Sequence, residues 1–189
     1  MLIAGVDEVG RGPLAGPVVT AAVILPEDYD LPGLTDSKKL NSKCRATLDD
    51  AIRKQAISWA LAQATVEEID QLNILGATML AMQRAVDSLA VKPAKVLVDG
   101  NRTPGFDVPS EAIIKGDGSI ACISAASIIA KQSRDHLMQE MHLRYPQYGF
   151  DTNVGYPTKK HRDALKQFGP TPIHRRSFAP VQASLNFDQ

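Results

Sequence analysis

The chain has 189 residues, 44% hydrophobic and 22% charged, with a formal net charge of zero. That suits one buried core with at most a small appendage, and excludes a disordered, collagenous or disulfide-built chain. No apolar run approaches the roughly 20 residues of a membrane helix, Cys44 and Cys122 form no C-x-x-C, and no basic region precedes the early acidic pair, so a membrane span, a thiolate metal site and a signal peptide are set aside and a cytoplasmic protein is expected.

Residues 2–6 are apolar with a β-branched bias and read as a buried strand that ends at Asp7-Glu8. Gly10-Arg11-Gly12-Pro13 must turn. Residues 17–25, rich in Val, Thr and Ile, read as a second strand, and residues 26–40 as a polar connection. Asn41 or Ser42 caps a helix running to about Gln55. Residues 57–65 alternate loosely and give a third strand. A short helix follows over 66–72, and Asn73 caps a longer one in which Ile74, Ala77, Leu80, Ala85 and Leu89 recur at helical spacing.

Residues 95–98 and 111–114 read as two more buried strands. The first ends in Asp99-Gly100, and the second reaches Lys115-Gly116-Asp117-Gly118. A long helix is expected over 119–144. Cys122, Ala125, Ala126 and Ile129 mark the face that lies close on the sheet, and Ser124, Ser127, Lys131 and Arg134 a partly opposite one. Pro157 or Thr158 opens a last helix to about Phe168, and from residue 169 no period is visible. Three antiparallel strands joined by short connections, then two suited to parallel packing, make an α/β fold with a mixed sheet.

Charge is distributed unevenly along the chain. Residues 1–35 hold Asp7, Glu8, Glu27, Asp28 and Asp30 against Arg11 alone. Residues 36–45 reverse this with Lys38, Lys39, Lys43 and Arg45 against Asp36. After residue 150, Lys159, Lys160, Arg162, Lys166, Arg175 and Arg176 outnumber Asp151, Asp163 and Asp188. An acidic opening and two basic segments can fold into an acidic site with basic flanks, although such charge also serves solvation alone.

Asp7, Asp99 and Asp117 each stand at the end of an apolar strand, and Glu8 adds a fourth carboxylate. Ligand sites in open α/β sheets form just beyond the strand carboxyl ends. Carboxylates that converge there repel one another unless a cation neutralises them, and hard oxygen ligands suit Mg²⁺ or Mn²⁺ rather than Zn²⁺. Two such ions can activate a water and stabilise the leaving oxygen of a phosphodiester. Singly, each acid has an ordinary role: Asp99 as a turn residue, Asp117 as a helix cap, Asp7-Glu8 as a solvated loop. Periodicity alone leaves these readings open.

The motifs resemble those of bacterial ribonuclease HII. Asp7-Glu8-Val9-Gly10-Arg11-Gly12-Pro13 is similar to the family's opening motif, and Asp36-Ser37-Lys38-Lys39-Leu40 to its second block. Val98-Asp99-Gly100-Asn101 resembles the third. Lys115-Gly116-Asp117 with residues 124–131 resembles the fourth. Gly155-Tyr156-Pro157-Thr158 with His161, and His174-Arg175-Arg176-Ser177-Phe178, resemble the C-terminal blocks. The likeness spans nearly the whole chain, in order.

The resemblance implies an RNase H-like fold: a five-stranded mixed sheet flanked by helices over residues 1–145, with a small helical extension over 146–189 that helps to bind substrate. It implies hydrolysis of RNA in RNA–DNA hybrids and incision 5′ of single ribonucleotides embedded in duplex DNA, leaving 3′-hydroxyl and 5′-phosphate ends. Asp7, Glu8, Asp99 and Asp117 would hold the catalytic Mg²⁺ or Mn²⁺, two ions with substrate bound. Gly10, Arg11 and Gly12 would sense the ribose 2′-hydroxyl at the RNA–DNA junction, because glycines let backbone groups approach the sugar. Tyr156 would pack on the neighbouring deoxyribose. Lys38, Lys39, Asn101, Ser127 and Lys131 are candidate substrate contacts. A monomer is expected, and the tail Ser184-Leu185-Asn186-Phe187 is a candidate sliding-clamp peptide. The competing readings are another RNase H-like nuclease, a phosphatase and a non-catalytic hybrid-binding module. The chain departs from many family members at Val154, where they carry lysine, and at Pro157, where they carry glycine. Proline is tolerated in the first turn of a helix.

Overall fold

The computed structural model describes residues 1–185. Five strands, β1 (Ile3–Val9), β2 (Val18–Ile24), β3 (Ser58–Ala64), β4 (Lys95–Asp99) and β5 (Ser110–Ile113), form one sheet in the order β3-β2-β1-β4-β5. The β1–β2 and β2–β3 pairs are antiparallel, and the β1–β4 and β4–β5 pairs are parallel. The antiparallel opening and parallel close match the expectation from connection lengths. The helices are α1 (Ser42–Gln55), α2 (Val66–Asp87), α3 (Ala121–Arg144), α4 (Phe150–Asn153), α5 (Lys159–Phe168) and α6 (Ala179–Leu185).

Both faces of the sheet are covered, which is why β2 reads as an unbroken apolar run and every residue in it is buried. On one face Met82, Ala85 and Val86 of α2 pack against Ala4, Val6, Ile24, Val96 and Val98. On the other, Leu48 and Ile52 of α1 and Ala125, Ile128 and Ile129 of α3 pack against Ala21 and Val23. A third cluster joins Leu14, Ala15 and Met138 to Tyr148, Phe150, Leu165 and Val181, so the residues after 145 are packed on the end of α3. No helix among the described residues is long and apolar enough to cross a membrane.

Caps mark the helix starts. Asn41 accepts from the Cys44 amide, and Thr65 forms a reciprocal capping box with Glu68. Asn73 breaks α2 with a φ of 59°, and its side chain accepts from the Leu75 and Gly76 amides, so two helices meet at that kink as expected.

Three differences have physical causes. β1 runs on to Val9 because its ladder with β2 continues to the Val9–Val19 pair after the parallel pairing with β4 has stopped at Val6–Val98. Asp117 ends no strand. It lies in a 3-10 turn (Gly116–Gly118) entered through Lys115 at a left-handed φ of 58°. The aperiodic tail contains α6, a helix too short to show a period.

Candidate active site

Asp7 lies where the sheet forks. Its main chain is still paired to Ala21 of β2, while β4 ends one residue beyond the Val6–Val98 pair, at Asp99. Strand pleating sends Gly5, Asp7 and Val9 to the α3 face and Ala4, Val6 and Glu8 to the α2 face. On the α3 face the backbones come very close: a Cβ on Gly5 would stand 2.2 Å from the Cys122 carbonyl carbon. That approach brings the turn before α3, and with it Asp117, to the end of β1.

One carboxylate oxygen from each of Asp7, Asp99 and Asp117 lies within 4.8 Å of the other two. The cluster is held from several sides. Asp99 accepts from the Asp117 amide at 3.2 Å, and Ser124 Oγ donates to the Asp117 carbonyl at 2.6 Å. Asp7 accepts from the Glu8 amide at 2.7 Å, and the Ser127 side chain stands near enough to favour its charged form. Ser127 Oγ in turn shares a 2.8 Å hydrogen bond with Ser37 Oγ, which ties in the 3-10 turn (Ser37–Lys39).

Burial and mutual repulsion disfavour ionisation here. Burial, then the charges of Glu8 and Asp99, raise the Asp7 carboxyl well above its ordinary value. Burial also raises Glu8 and Asp99, with Asp117 adding to the shift at Asp99. Partial burial works against the Lys38 ammonium, but the carboxylates of Asp117, Asp36 and Asp7 outweigh it and raise its pKa. Its Nζ stands 3.4 Å from Asp117 Oδ2. Three converging hard oxygen donors are suited to a divalent cation, which removes the repulsion when bound.

Glu8 does not join the three aspartates in that cluster. It points to the other face of β1, 3.5 Å from Arg11 Nη1, and lines a cleft of about 320 Å³ with Arg11, Thr78, Met79, Asp99, Asn101 and Arg102. Asp99 therefore borders both the triad and the cleft.

The remaining candidates divide. Lys38 and Lys39 face the site from the turn anchored by Ser37. Ser127 is buried and hydrogen-bonded to Ser37, and Lys131 is paired with Asp135 at 2.6 Å, so neither offers a free group. The polar stripe of α3 is expected partly opposite the sheet-facing residues, and Ser124, Ser127 and Arg134 are all buried there, covered by the turns that carry Asp117 and Ser37 and by the segment after 145. Tyr156 is exposed and touches the turn: a Cβ on Gly12 would lie 3.2 Å from its ring. Val154 has a left-handed φ of 43°, an uncommon conformation for a β-branched residue.

Four groups escaped the sequence reading as functional residues. Arg134 and Arg175 are fully buried beneath the turn of residues 10–17. His161 and His174 are buried behind Tyr156, with their Nε2 atoms 2.9 Å apart. His174 Nδ1 accepts from the Thr171 amide, so its proton sits on Nε2 and is donated to His161 Nε2. His161 Nδ1 then carries a proton and donates to the Tyr156 carbonyl at 2.9 Å. Burial lowers both histidines, His174 to about 3 with help from His161, so the chain of hydrogen bonds is neutral. A partial signal for Arg134 was its position seven residues after Ser127, on the same side of α3.

The family described as Ribonuclease HII matches residues 4–181. A ribonuclease HII from Dechloromonas aromatica (strain RCB) is 60% identical over 185 residues, covering 98% of this chain and 94% of the relative. One from Neisseria meningitidis serogroup C (strain 053442) is 61% identical over 183 residues, covering 96% and 94%. Among solved structures, the ribonuclease H2 of Pyrococcus horikoshii OT3 matches with a TM-score of 0.83 at 29% identity, covering 99% of this chain and 98% of that one. A chain of the PCNA:RNase HII complex from Archaeoglobus fulgidus matches with a TM-score of 0.74 at 25% identity, covering 93% and 94%.

Proposed function

The chain belongs to the ribonuclease HII family, and from that premise we propose how this site selects and cuts its substrate. The protein is a divalent-metal-dependent ribonuclease H with an RNase H-like fold, and it acts on the RNA of RNA–DNA hybrids. The finer reading is incision 5′ of a single ribonucleotide in duplex DNA, leaving a 3′-hydroxyl and a 5′-phosphate. The observation that carries it is the convergence of Asp7, Asp99 and Asp117 beside the Gly10-Arg11-Gly12 turn.

Asp7, Asp99 and Asp117, with Glu8 beside them, would hold the divalent metal, two ions when substrate is bound. Mg²⁺ or Mn²⁺, once bound, supplies charge neutralisation and lowers the pKa of water, so no histidine base is needed. The protein orients the rest. Ser127 and Ser37 keep the Asp7 carboxylate aimed. Lys38 and Lys39 offer cations to the phosphates flanking the cut, and Arg11 and Asn101 line the cleft on the other side. Gly10, Arg11 and Gly12 present main-chain groups to the 2′-hydroxyl, and Tyr156, beside Gly12, packs on the next sugar.

Residues 146–189 are proposed as a substrate-binding extension of the catalytic domain 1–145, in a monomeric cytoplasmic enzyme. A clamp contact through residues 184–187 has the archaeal PCNA complex as precedent, and Asn186 and Phe187 lie outside the described residues. The deciding assay compares wild type and Asp7→Asn on a duplex with one ribonucleotide and on an all-DNA duplex, under Mg²⁺ and Mn²⁺. Wild type should cut only the first, and the variant neither. Equal cutting of both duplexes, or near-normal cutting by the variant, overturns the reading.

A further inference from the structure

Arg134 and Arg175 are among the largest fully buried side chains of the protein, and neither has a carboxylate among its hydrogen-bond partners. Each donates from all three of its guanidinium nitrogens to main-chain carbonyls. Arg134 donates from Nε to Pro17 at 3.1 Å, from Nη1 to Val154 at 2.9 Å and from Nη2 to Ala15 at 3.0 Å. Arg175 donates from Nε to Gly16 and from Nη1 to Arg11, each at 2.9 Å, and from Nη2 to Gly10. Five of the six acceptors belong to the turn between β1 and β2. A buried guanidinium with no carboxylate bonded to it is an expensive way to fill space, and an apolar side chain of similar volume would fill it but leave these carbonyls without a donor. Packing alone therefore does not explain the pair.

The geometry points to Arg134 and Arg175 as positioning residues that set the substrate-facing backbone of residues 10–12 and strengthen its donors. The carbonyl and the following amide of a trans peptide point in opposite directions. With the Gly10 and Arg11 carbonyls drawn inward by Arg175, the amides of Arg11 and Gly12 face outward. Among the described residues neither amide has an acceptor in the protein. A guanidinium on the carbonyl side polarises the peptide and makes its N–H a better donor, and the two cations lie under a surface that must receive an anionic backbone. Gly10 belongs to the same device. Its φ is +95°, and a Cβ there would stand 2.2 Å from Arg134 Nε. Arg134 also holds the carbonyl of Val154, the residue in the left-handed conformation two before Tyr156, so one side chain sets the turn and the approach to Tyr156 together.

This proposal rests on the reading that residues 10–12 contact the substrate, and the test separates the two. The variants are Arg175→Lys, which keeps the charge but cannot reach three carbonyls, Arg175→Met, which removes both, and Arg134→Lys. In the free proteins, amide ¹H–¹⁵N spectra should show the Arg11 and Gly12 resonances displaced. Midpoints of Mn²⁺-induced thermal stabilisation should match wild type, because the acidic cluster is untouched. In steady-state assays the KM for a duplex with one ribonucleotide should rise about tenfold, the effect of one lost charge-assisted hydrogen bond, while kcat changes much less. If Arg175→Met fails to fold, Arg175→Lys carries the test. Folded variants with wild-type amide positions and wild-type KM overturn the proposal. A wild type that does not distinguish the one-ribonucleotide duplex from all-DNA duplex overturns the substrate reading instead, and the amide spectra still decide the role of the arginines.

Discussion

Replacing Asp7 by Asn should make the metal-free protein more stable while removing its activity. The substitution keeps the shape of the side chain and an acceptor for the Glu8 amide, but takes one negative charge out of a cluster whose oxygens lie within 4.8 Å of one another. At an effective dielectric constant of about 20, two unit charges at that separation repel by roughly 3.5 kcal/mol. Burial and the neighbouring charges already hold the Asp7 pKa above its ordinary value, so the realised gain is smaller, about 1–3 kcal/mol. For a chain of this size that is roughly 2–12 °C in Tm. The sign follows from linkage. Folding raises the Asp7 pKa above its ordinary value of 3.8. The unfolded chain therefore releases its proton first, and wild type loses stability as pH rises above that value until the folded group also ionises. The advantage of Asp7→Asn should be small near pH 4 and open toward neutrality. Thermal unfolding in EDTA across this range measures it. Saturating Mg²⁺ or Mn²⁺ should then reverse the order, since a ligand at a hundred times its Kd stabilises by about 2.7 kcal/mol and the variant has lost an essential donor. A variant less stable than wild type in EDTA at neutral pH, or an equal metal response in both, refutes the reasoning.

The histidine pair gives the opposite pH dependence. His174 falls from an ordinary 6.5 to about 3 on folding, so its share of stability is intact above 6.5 and drains as pH drops toward 3, at about 1.4 kcal/mol per unit. Urea unfolding of wild type should weaken by about 2 kcal/mol between pH 6.5 and 5 from this group alone, and parallel pH curves for wild type and His174→Asn would sink the argument. Gly5→Ala places a methyl group 2.2 Å from the α3 backbone. It should destabilise by about 3 kcal/mol and depress cleavage with it, because it pushes Asp117 away from Asp7; unchanged urea midpoints would contradict this. Lys38→Ala should weaken hybrid binding and lower the salt slope of log K by about one, whereas an unchanged slope would show that its ammonium serves only Asp117.

The strand and helix pattern was legible because burial imposes period and punctuation. β2 is buried on both faces and reads as an apolar run, and Asn41 and Asn73 announce helix starts through their own chemistry, whereas Thr65, read as the end of a strand, is the cap of α2. The three aspartates were legible as residues that close apolar segments. Their division was not, because the pleat that sends Asp7 and Glu8 to opposite faces only matters once β1 is known to run past them. Ser127 and Arg134 of α3 read as part of a polar face partly opposite the sheet-facing residues. They are buried against partners 90 or more residues away, Ser37 for Ser127 and Ala15 for Arg134, and local periodicity carries no trace of such pairings. The same holds for His161 and His174, whose hydrogen bonds fix each other and show no sequence rhythm.

The clamp on residues 10–17 also sets an order of events during synthesis. Arg175 reaches its acceptors across 159, 164 and 165 positions of chain. All three aspartates and the α3 segment that packs beneath them emerge well before it, and proteins made from the N-terminus fold in that direction. A nascent chain can therefore assemble the acidic cluster while the turn beside it is still unclamped. The turn proposed to read the ribose is therefore set only after residue 175 has been made, so the selectivity proposed for it would arise later than the acidic cluster.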